Sequence, residues 1–161
     1  MPSRDAHLSK LRRDLEAIRV FVAHPPLLNS HHEWAIVLAH YAAIHAVEAV
    51  LAEKFGAHST SHEGRDDHLH LSIDGRDCFR DLRFHFSTLK KASSQARYLV
   101  ADGRDYSSKV LPDGVITVFL NHYLAGVLRE CQKFLPTGSI APWQSIPASK
   151  GRATPQAPPK G

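Results

Sequence analysis

An uninterrupted stretch from Ser30 to Gly56, SHHEWAIVLAHYAAIHAVEAVLAEKFG, constrains the fold more than any other part of the chain. It contains no proline, and its only glycine is the last residue. Ser30 followed by Glu33 has the spacing of a capping box, and Gly56 stands where a helix-ending glycine belongs. Apolar residues occur on more than one side of this predicted helix, so we expect it to be buried against several partners.

One polar side chain, His45, lies in the alanine-rich centre of the predicted helix, four residues after Tyr41. Residues at this spacing share a helix face, so the two side chains should lie on the same side. We interpret His45 as a core histidine that forms a hydrogen bond with a neighbouring helix, because buried polar groups nearly always have partners.

Three further segments have an apolar stripe with helical spacing, and prolines or glycines separate them. Their predicted bounds are 3–24, 76–101 and 112 or 113 to 136. A shorter helix or turn is expected between Ser61 and Leu71, before a break at Asp74-Gly75. No segment alternates polar and apolar residues convincingly. The sequence therefore predicts an all-α fold, an up-and-down bundle of four long helices plus one short helix.

The C-terminal segment differs in composition from the rest of the chain. Residues 137–161 are rich in proline, glycine, serine and alanine, and they cannot supply a core of their own. We predict one domain over residues 1–136 and a disordered or loosely docked tail over residues 137–161. Trp143, together with Ile140 and Ile146, could anchor the first part of this tail.

The composition permits a nucleic-acid partner without requiring one, because the formal net charge is only +4 and the twelve histidines are largely neutral. Cys78 and Cys131 are too far apart in sequence to form a metal-binding pair. We find neither a signal peptide nor an apolar run of spanning length, and we expect a cytoplasmic protein with reduced thiols and no membrane partner. No glycine-rich phosphate loop is present, and no cofactor is predicted.

The segment HEGRDDHLH, from His62 to His70, contains the side chains best suited to chemistry. Arg65 is followed by His70 after four intervening residues, and Arg80 is followed by His85 at the same spacing. In RNA cleavage a histidine can take a proton from a hydroxyl or give one to the leaving oxygen, and an arginine can neutralise charge on phosphate.

The resulting catalytic hypothesis gives each of these residues a role. If the protein cleaves RNA, we expect His62 or His70 to be the general acid or base, and Arg65 to stabilise the phosphate charge. Tyr41 and His45 would support this site from the central helix. The alternative is a solvated polar cap, because chance Arg–His matches are expected in a chain with twelve histidines.

The same segment has the residue types of a metal site. On a helix, His62, Asp66 and His70 would lie on one side, and His68 is close by in sequence. Imidazole and carboxylate groups at this spacing can hold a divalent metal ion. A metal-binding bundle is therefore a further hypothesis, although no HExxH motif is present and no metal ligand is assigned.

A set of basic residues surrounds the end of the fourth predicted helix, with tyrosines nearby. Its members are Lys90, Lys91, Arg97 and Arg104, with Tyr98 and Tyr106 beside them. Basic groups next to aromatic rings can bind phosphates and stack on bases. We treat the four cations as candidate nucleic-acid-binding residues, with a solvated helix face as the alternative.

Three stretches together resemble the HEPN superfamily, the higher eukaryotes and prokaryotes nucleotide-binding domain. They are HYAAIHAVEAVLAEKFG, the Ser61-His62 pair that follows it, and FRDLRFHFSTLKKASSQARY, and they cover roughly residues 30–100. The resemblance implies a small all-α bundle that usually forms homodimers. Many relatives are metal-independent ribonucleases, toxins or nucleotidyltransferase partners, and others are non-catalytic RNA- or nucleotide-binding modules.

The chain departs from the motif that catalytic relatives carry, which is an arginine followed by a histidine after four to six residues, late in the bundle. Ser93 stands where that arginine is expected, and no histidine follows Arg97 or Arg104 at the right spacing. The leading hypothesis is a protein of RNA or nucleotide metabolism, as an endoribonuclease or as the partner of an antitoxin or nucleotidyltransferase. The alternative is a non-catalytic nucleotide- or protein-binding module.

Overall fold

The computed structural model of the protein describes residues 2–24, 26, 28, 31–59, 61–71, 76–98, 100–101, 104–105 and 114–146. Within these residues the chain forms five helices. They are α1 (Arg4–Val22), α2 (His32–Phe55), α3 (His62–Leu69), α4 (Arg80–Tyr98) and α5, which runs through Val115–Val118, Phe119–Leu124 and Ala125–Gln132. The predicted all-α bundle of four long helices and one short helix is confirmed.

Helix α2 is the centre of the bundle, because it contacts α1, α4 and all three segments of α5. Its buried residues lie on every side of the helix, and those from Ala46 to Leu51 are almost completely shielded from solvent. Contrary to the sequence analysis, α2 is long and apolar enough to cross a membrane by length and composition alone, since an 18-residue window has a mean hydropathy of 1.7, but 78% of that window is buried. Its apolar character is accounted for by its place among the other helices.

The two ends of α2 differ in how they relate to the capping signals predicted from the sequence. At the C-terminal end, Gly56 adopts a φ of 57°, and its N–H donates to Ala52 O at 3.2 Å, as expected for a helix-ending glycine. At the other end His31 precedes the first helical residue and contributes no side-chain capping bond within the described chain. The predicted capping box depends on Ser30, which lies outside the described residues.

Helix α4 is shorter than predicted at both ends. It begins at Arg80 and ends at Tyr98. Asp77, which precedes the helix, forms an ion pair with Arg83 near its start. Beyond it, Val100–Ala101 pairs antiparallel with Arg104–Asp105 in a two-residue ladder. In the sequence an Asp-Gly pair lies between these two strands, and such pairs favour a hairpin turn over a helix.

Residues after α5 pack against the bundle through Asn121, which lies in the π-helical segment Phe119–Leu124. The Asn121 side-chain oxygen accepts hydrogen bonds from Trp143 Nε1 at 3.1 Å and Ile146 N at 2.9 Å. Its amide nitrogen donates to Ile146 O at 2.7 Å. The predicted anchor of Trp143, Ile140 and Ile146 is thus observed, and the packed chain continues to Ile146, past the predicted domain end at 136.

Helices α4 and α5 pack together where the His85 ring lies against Gly126. Both residues are buried, and a Cβ atom added at Gly126 would lie 2.6 Å from the His85 ring. Real Cβ atoms essentially never lie so close to another atom, so a side chain at position 126 would force the His85 ring or its neighbours to shift.

Replacing Gly126 with alanine should therefore lower the free energy of unfolding by about 1–3 kcal/mol, the usual cost of overpacking a core. Gly64→Ala is the matched control, because the nearest atom to a Cβ there is Ser61 Oγ at 3.4 Å. That control should be neutral or stabilising, since alanine is the better helix former. Urea unfolding measures the free energy of unfolding of both variants. A Gly126→Ala protein as stable as wild type would contradict the packing described.

Candidate functional site

Two polar regions stand out in the described structure, and the first is centred on Glu48 of α2. This carboxylate is 1% exposed, and Arg65 of α3 donates from Nε to Glu48 Oε1 at 2.7 Å. Ser59 donates its backbone N–H to Oε2 at 3.1 Å and its hydroxyl to Oε1. Arg65 is itself only 7% exposed, so helices α2 and α3 are joined by a buried, hydrogen-bonded ion pair.

The surroundings of Glu48 keep it ionised. Burial alone would raise the pKa of this carboxyl group, but the two hydrogen bonds from Ser59 and the nearby Arg65 guanidinium outweigh burial and lower it. A buried carboxylate of this kind is stable only while its partners are present.

Three histidines surround the carboxylate on the side towards α1. His58 Nδ1 lies 3.1 Å from Glu48 Oε2 without the alignment of a hydrogen bond. The His7 ring stacks on His58, with centroids 5.2 Å apart, and His7 Nδ1 is 3.5 Å from His45 Nδ1. His45 Nε2 in turn lies 3.8 Å from Asp14 Oδ2.

We refer to these seven residues as the Glu48 cluster: His7, Asp14, His45, Glu48, His58, Ser59 and Arg65. Two of its imidazoles, those of His7 and His45, are poor bases. Burial, with added repulsion from Lys10, His7 and Arg65, lowers the pKa of His45 to about 4. Burial also lowers the pKa of His7. Both rings are therefore neutral at pH 7.

The predicted site residues are only partly brought together. Arg65 and His45 both belong to the Glu48 cluster, and the interpretation of His45 as a core histidine facing a neighbouring helix agrees with its contact to His7. Tyr41 lies on the surface, 43% exposed, with its ring against His40. His70 lies in the second polar region, and the side chain of His62 is outside the described part of the structure.

The second region is a pocket of about 370 Å³ between α3 and α4, which we call the α3–α4 pocket. Arg80 and His70 are exposed in its lining, and Phe84 is 57% exposed. Arg83 is held in place by Asp77 and by Leu69 O, to which it donates at 2.8 Å. Arg80 has no acidic partner among the described residues, so its charge faces solvent.

The second predicted Arg–His match does not form a pair. Arg80 lines the pocket, whereas His85, five residues later, is 7% exposed. The His85 ring contacts His122 and Tyr123, with centroid separations of 5.3 and 6.1 Å. The two side chains of this match thus occupy different environments.

The predicted basic set is only partly available to an anionic ligand. Lys90 forms an ion pair with Asp66 of α3, and Arg97 donates from Nε to Ser93 O at 3.3 Å. Lys91 is exposed, and the side chain of Arg104 lies outside the described residues. Asp66 is also one of the metal ligands hypothesised for residues 62–70, and its carboxylate is engaged by Lys90. His68 Nδ1 is likewise engaged, with Gly64 O.

The sequence reasoning missed His7, Glu48 and His58, although two of them carried a signal. His7 continues the apolar stripe of α1 at the four-residue spacing of Leu11 and Leu15. Glu48 is an acid inside the most apolar helix of the chain, three residues after His45. Charged or polar residues on a buried face nearly always have partners. His58 lies in a polar loop, where nothing in the local pattern indicates burial.

The fold defines a small all-α bundle with a buried polar cluster at one side of its central helix. A family model described as the HEPN domain matches residues 7–112, which include α1 from His7 onwards and all of α2 to α4. The chain belongs to the HEPN domain family. Comparisons with curated proteins and with solved structures gave no match.

Removing the positive partner of Glu48 tests the role of the buried pair. Arg65→Met should lower the free energy of unfolding by about 3–5 kcal/mol, because it leaves an uncompensated carboxylate in the core. The double variant Glu48→Gln/Arg65→Met should recover part of that loss, and Arg12→Met, an exposed arginine on α1, should change little. Chemical denaturation measures all three. An Arg65→Met protein as stable as Arg12→Met would contradict the assignment.

Proposed function

We propose that this HEPN protein binds a nucleotide, or the phosphate backbone of RNA, in the α3–α4 pocket. The observation that carries the proposal is Arg80, an exposed arginine with no acidic partner in the described chain, which lines a pocket beside His70 and Phe84. Membership of the HEPN family supports a role in RNA or nucleotide metabolism in general terms.

The pocket offers complementary groups for the two parts of a nucleotide. The Arg80 guanidinium can donate two parallel hydrogen bonds to phosphate, and His70 supplies a further donor. Phe84 exposes its ring at the pocket, where a base can stack on it. The volume of about 370 Å³ falls within the usual range for small-molecule sites, about 300–1,000 Å³.

The geometry favours a protein that binds its ligand without catalysing a reaction on it. Arg65, the predicted phosphate-stabilising residue, is committed to the buried Glu48 carboxylate. His85 is buried away from Arg80. The late Arg–His motif of catalytic relatives has no counterpart in the sequence.

A second candidate, a metal-independent endoribonuclease, is supported by one observation. His70, a predicted general acid or base, lines the same pocket as Arg80, which could stabilise phosphate charge in place of Arg65. The roles proposed for His62, Tyr41 and His45 do not depend on this pocket, and they remain predictions.

We further propose that the protein assembles with other chains. Trp34 and Tyr41 lie seven residues apart on one face of α2, and they are 53% and 43% exposed. Exposed aromatic side chains are enriched at protein interfaces, and this face suits a homodimer. An antitoxin or nucleotidyltransferase partner and a cytoplasmic location are likewise proposals for this protein.

Titration of the protein with ATP, AMP and a short single-stranded RNA, followed by fluorescence anisotropy or calorimetry, tests the binding proposal. Arg80→Ala should weaken binding about 10- to 100-fold, since hydrogen bonds to charged groups contribute about 1.5–3 kcal/mol. Phe84→Ala should weaken nucleotide binding but not binding of inorganic phosphate. Arg12→Ala serves as the exposed-arginine control.

The same titration separates the pocket from the basic face of α4. If Lys91→Ala reduces binding as much as Arg80→Ala, the ligand lies along α4 and not in the pocket. Absence of binding by the wild-type protein would refute the proposal. Incubation with RNA in EDTA decides between the two candidates, because only the endoribonuclease predicts cleavage that His70→Ala abolishes.

A further inference from the structure

We propose that His7, Glu48 and His58 form a binding site for a divalent transition-metal ion, with zinc as the best match, where α1, α2 and the loop after α2 meet. The site belongs to the Glu48 cluster and is built from other residues than the α3–α4 pocket. The proposal is therefore independent of the proposed nucleotide-binding function.

The geometry brings three ligand types together. One potential ligand atom from each of the three residues lies within 4.8 Å of the other two. His7 Nε2 and His58 Nδ1 have no hydrogen-bond partner within the described chain, and His7 is only 4% exposed. A buried imidazole nitrogen without a partner is costly, and a bound cation would use its lone pair.

The Glu48 carboxylate keeps one acceptor position for a metal ion. Its Oε1 atom is occupied by Arg65 and by the Ser59 hydroxyl. Among the described residues its Oε2 atom accepts one bond, from the Ser59 N–H, and it lies 3.1 Å from His58 Nδ1. Each carboxylate oxygen offers about two acceptor positions, so Oε2 has one left on the histidine side.

The contacts of His7 Nδ1 favour the tautomer of His7 that can bind a metal ion through Nε2. When His7 Nδ1–H donates to His45 Nδ1, the lone pair of His7 lies on Nε2, the buried atom that has no other partner within the described chain. His45 Nε2–H then points towards the Asp14 carboxylate, 3.8 Å away. Ligand histidines in metal sites are usually oriented in this way by a group bonded to the second ring nitrogen. Burial, which keeps His7 neutral, acts in the same direction.

The ligand set matches a three-coordinate protein site with a fourth position open. Two imidazoles and one carboxylate bind zinc in this way, with bonds of about 2.0–2.2 Å and ligand atoms about 3.4 Å apart. Closing the site from its present spacing requires small side-chain rotations. The His58 side chain, 26% exposed, is the one with most freedom to make them.

The test is calorimetric titration of untagged, EDTA-treated protein with zinc chloride, repeated with cobalt to read the coordination from its absorption. We expect one tight ion per chain. His58→Gln should weaken that binding at least about 100-fold, because loss of even a group that only orients a ligand costs about 10–100-fold. His24→Gln, an exposed histidine at the end of α1, should bind like wild type.

Two further variants make the outcome decisive. His7→Gln removes the second imidazole, and circular dichroism must show that it and His58→Gln are folded. His70→Gln tests the metal hypothesis for residues 62–70. If His70→Gln loses the ion and His58→Gln keeps it, or if wild type binds no more tightly than His58→Gln, the proposed site is refuted. Failure of nucleotide binding in EDTA would leave this result unaffected.

Discussion

The buried ion pair between Glu48 and Arg65 determines how the short helix α3 sits on the bundle. A carboxylate that is 1% exposed in the middle of an apolar helix has lost its hydration, and it is tolerated only because Arg65 and Ser59 replace the water. Both partners come from the segment that follows α2. The same interaction therefore neutralises a charge in the core and fixes a polar segment that has little apolar surface of its own.

The orientation of α3 follows from that pair. With Arg65 turned into the core, Leu69, one turn later, is buried as well, and Asp66 faces Lys90 of α4. His70 then falls at the end of the helix, beside Arg80. The α3–α4 pocket is thus a consequence of the buried pair. Arg65, the predicted phosphate-stabilising residue, is paired with Glu48, and the pocket is lined by His70 and Arg80.

The sequence was sufficient for the helices and insufficient for this pairing. Periodicity and Gly56 located α2, and the alanine run around His45 indicated a buried histidine, because these signals are local. The contact between Glu48 and Arg65 joins residues seventeen positions apart across a loop. Arg65 lies among acidic and histidine residues, a composition that is typical of a solvated surface. No periodicity indicates which residue of such a polar segment is buried. For the same reason His58 could not be recognised.

The Glu48 cluster and the α3–α4 pocket are not mechanically separate, because α3 contributes to both. The loop that carries His58 and Ser59 runs directly into Ser61, whose Oγ accepts from Gly64 N at 3.0 Å and caps α3. Ser59 and Arg65, which lie before and after this cap, both donate to Glu48, so the buried carboxylate holds the start of α3 from two sides. These protein contacts restrain the first turn of α3, and α3 forms one wall of the pocket.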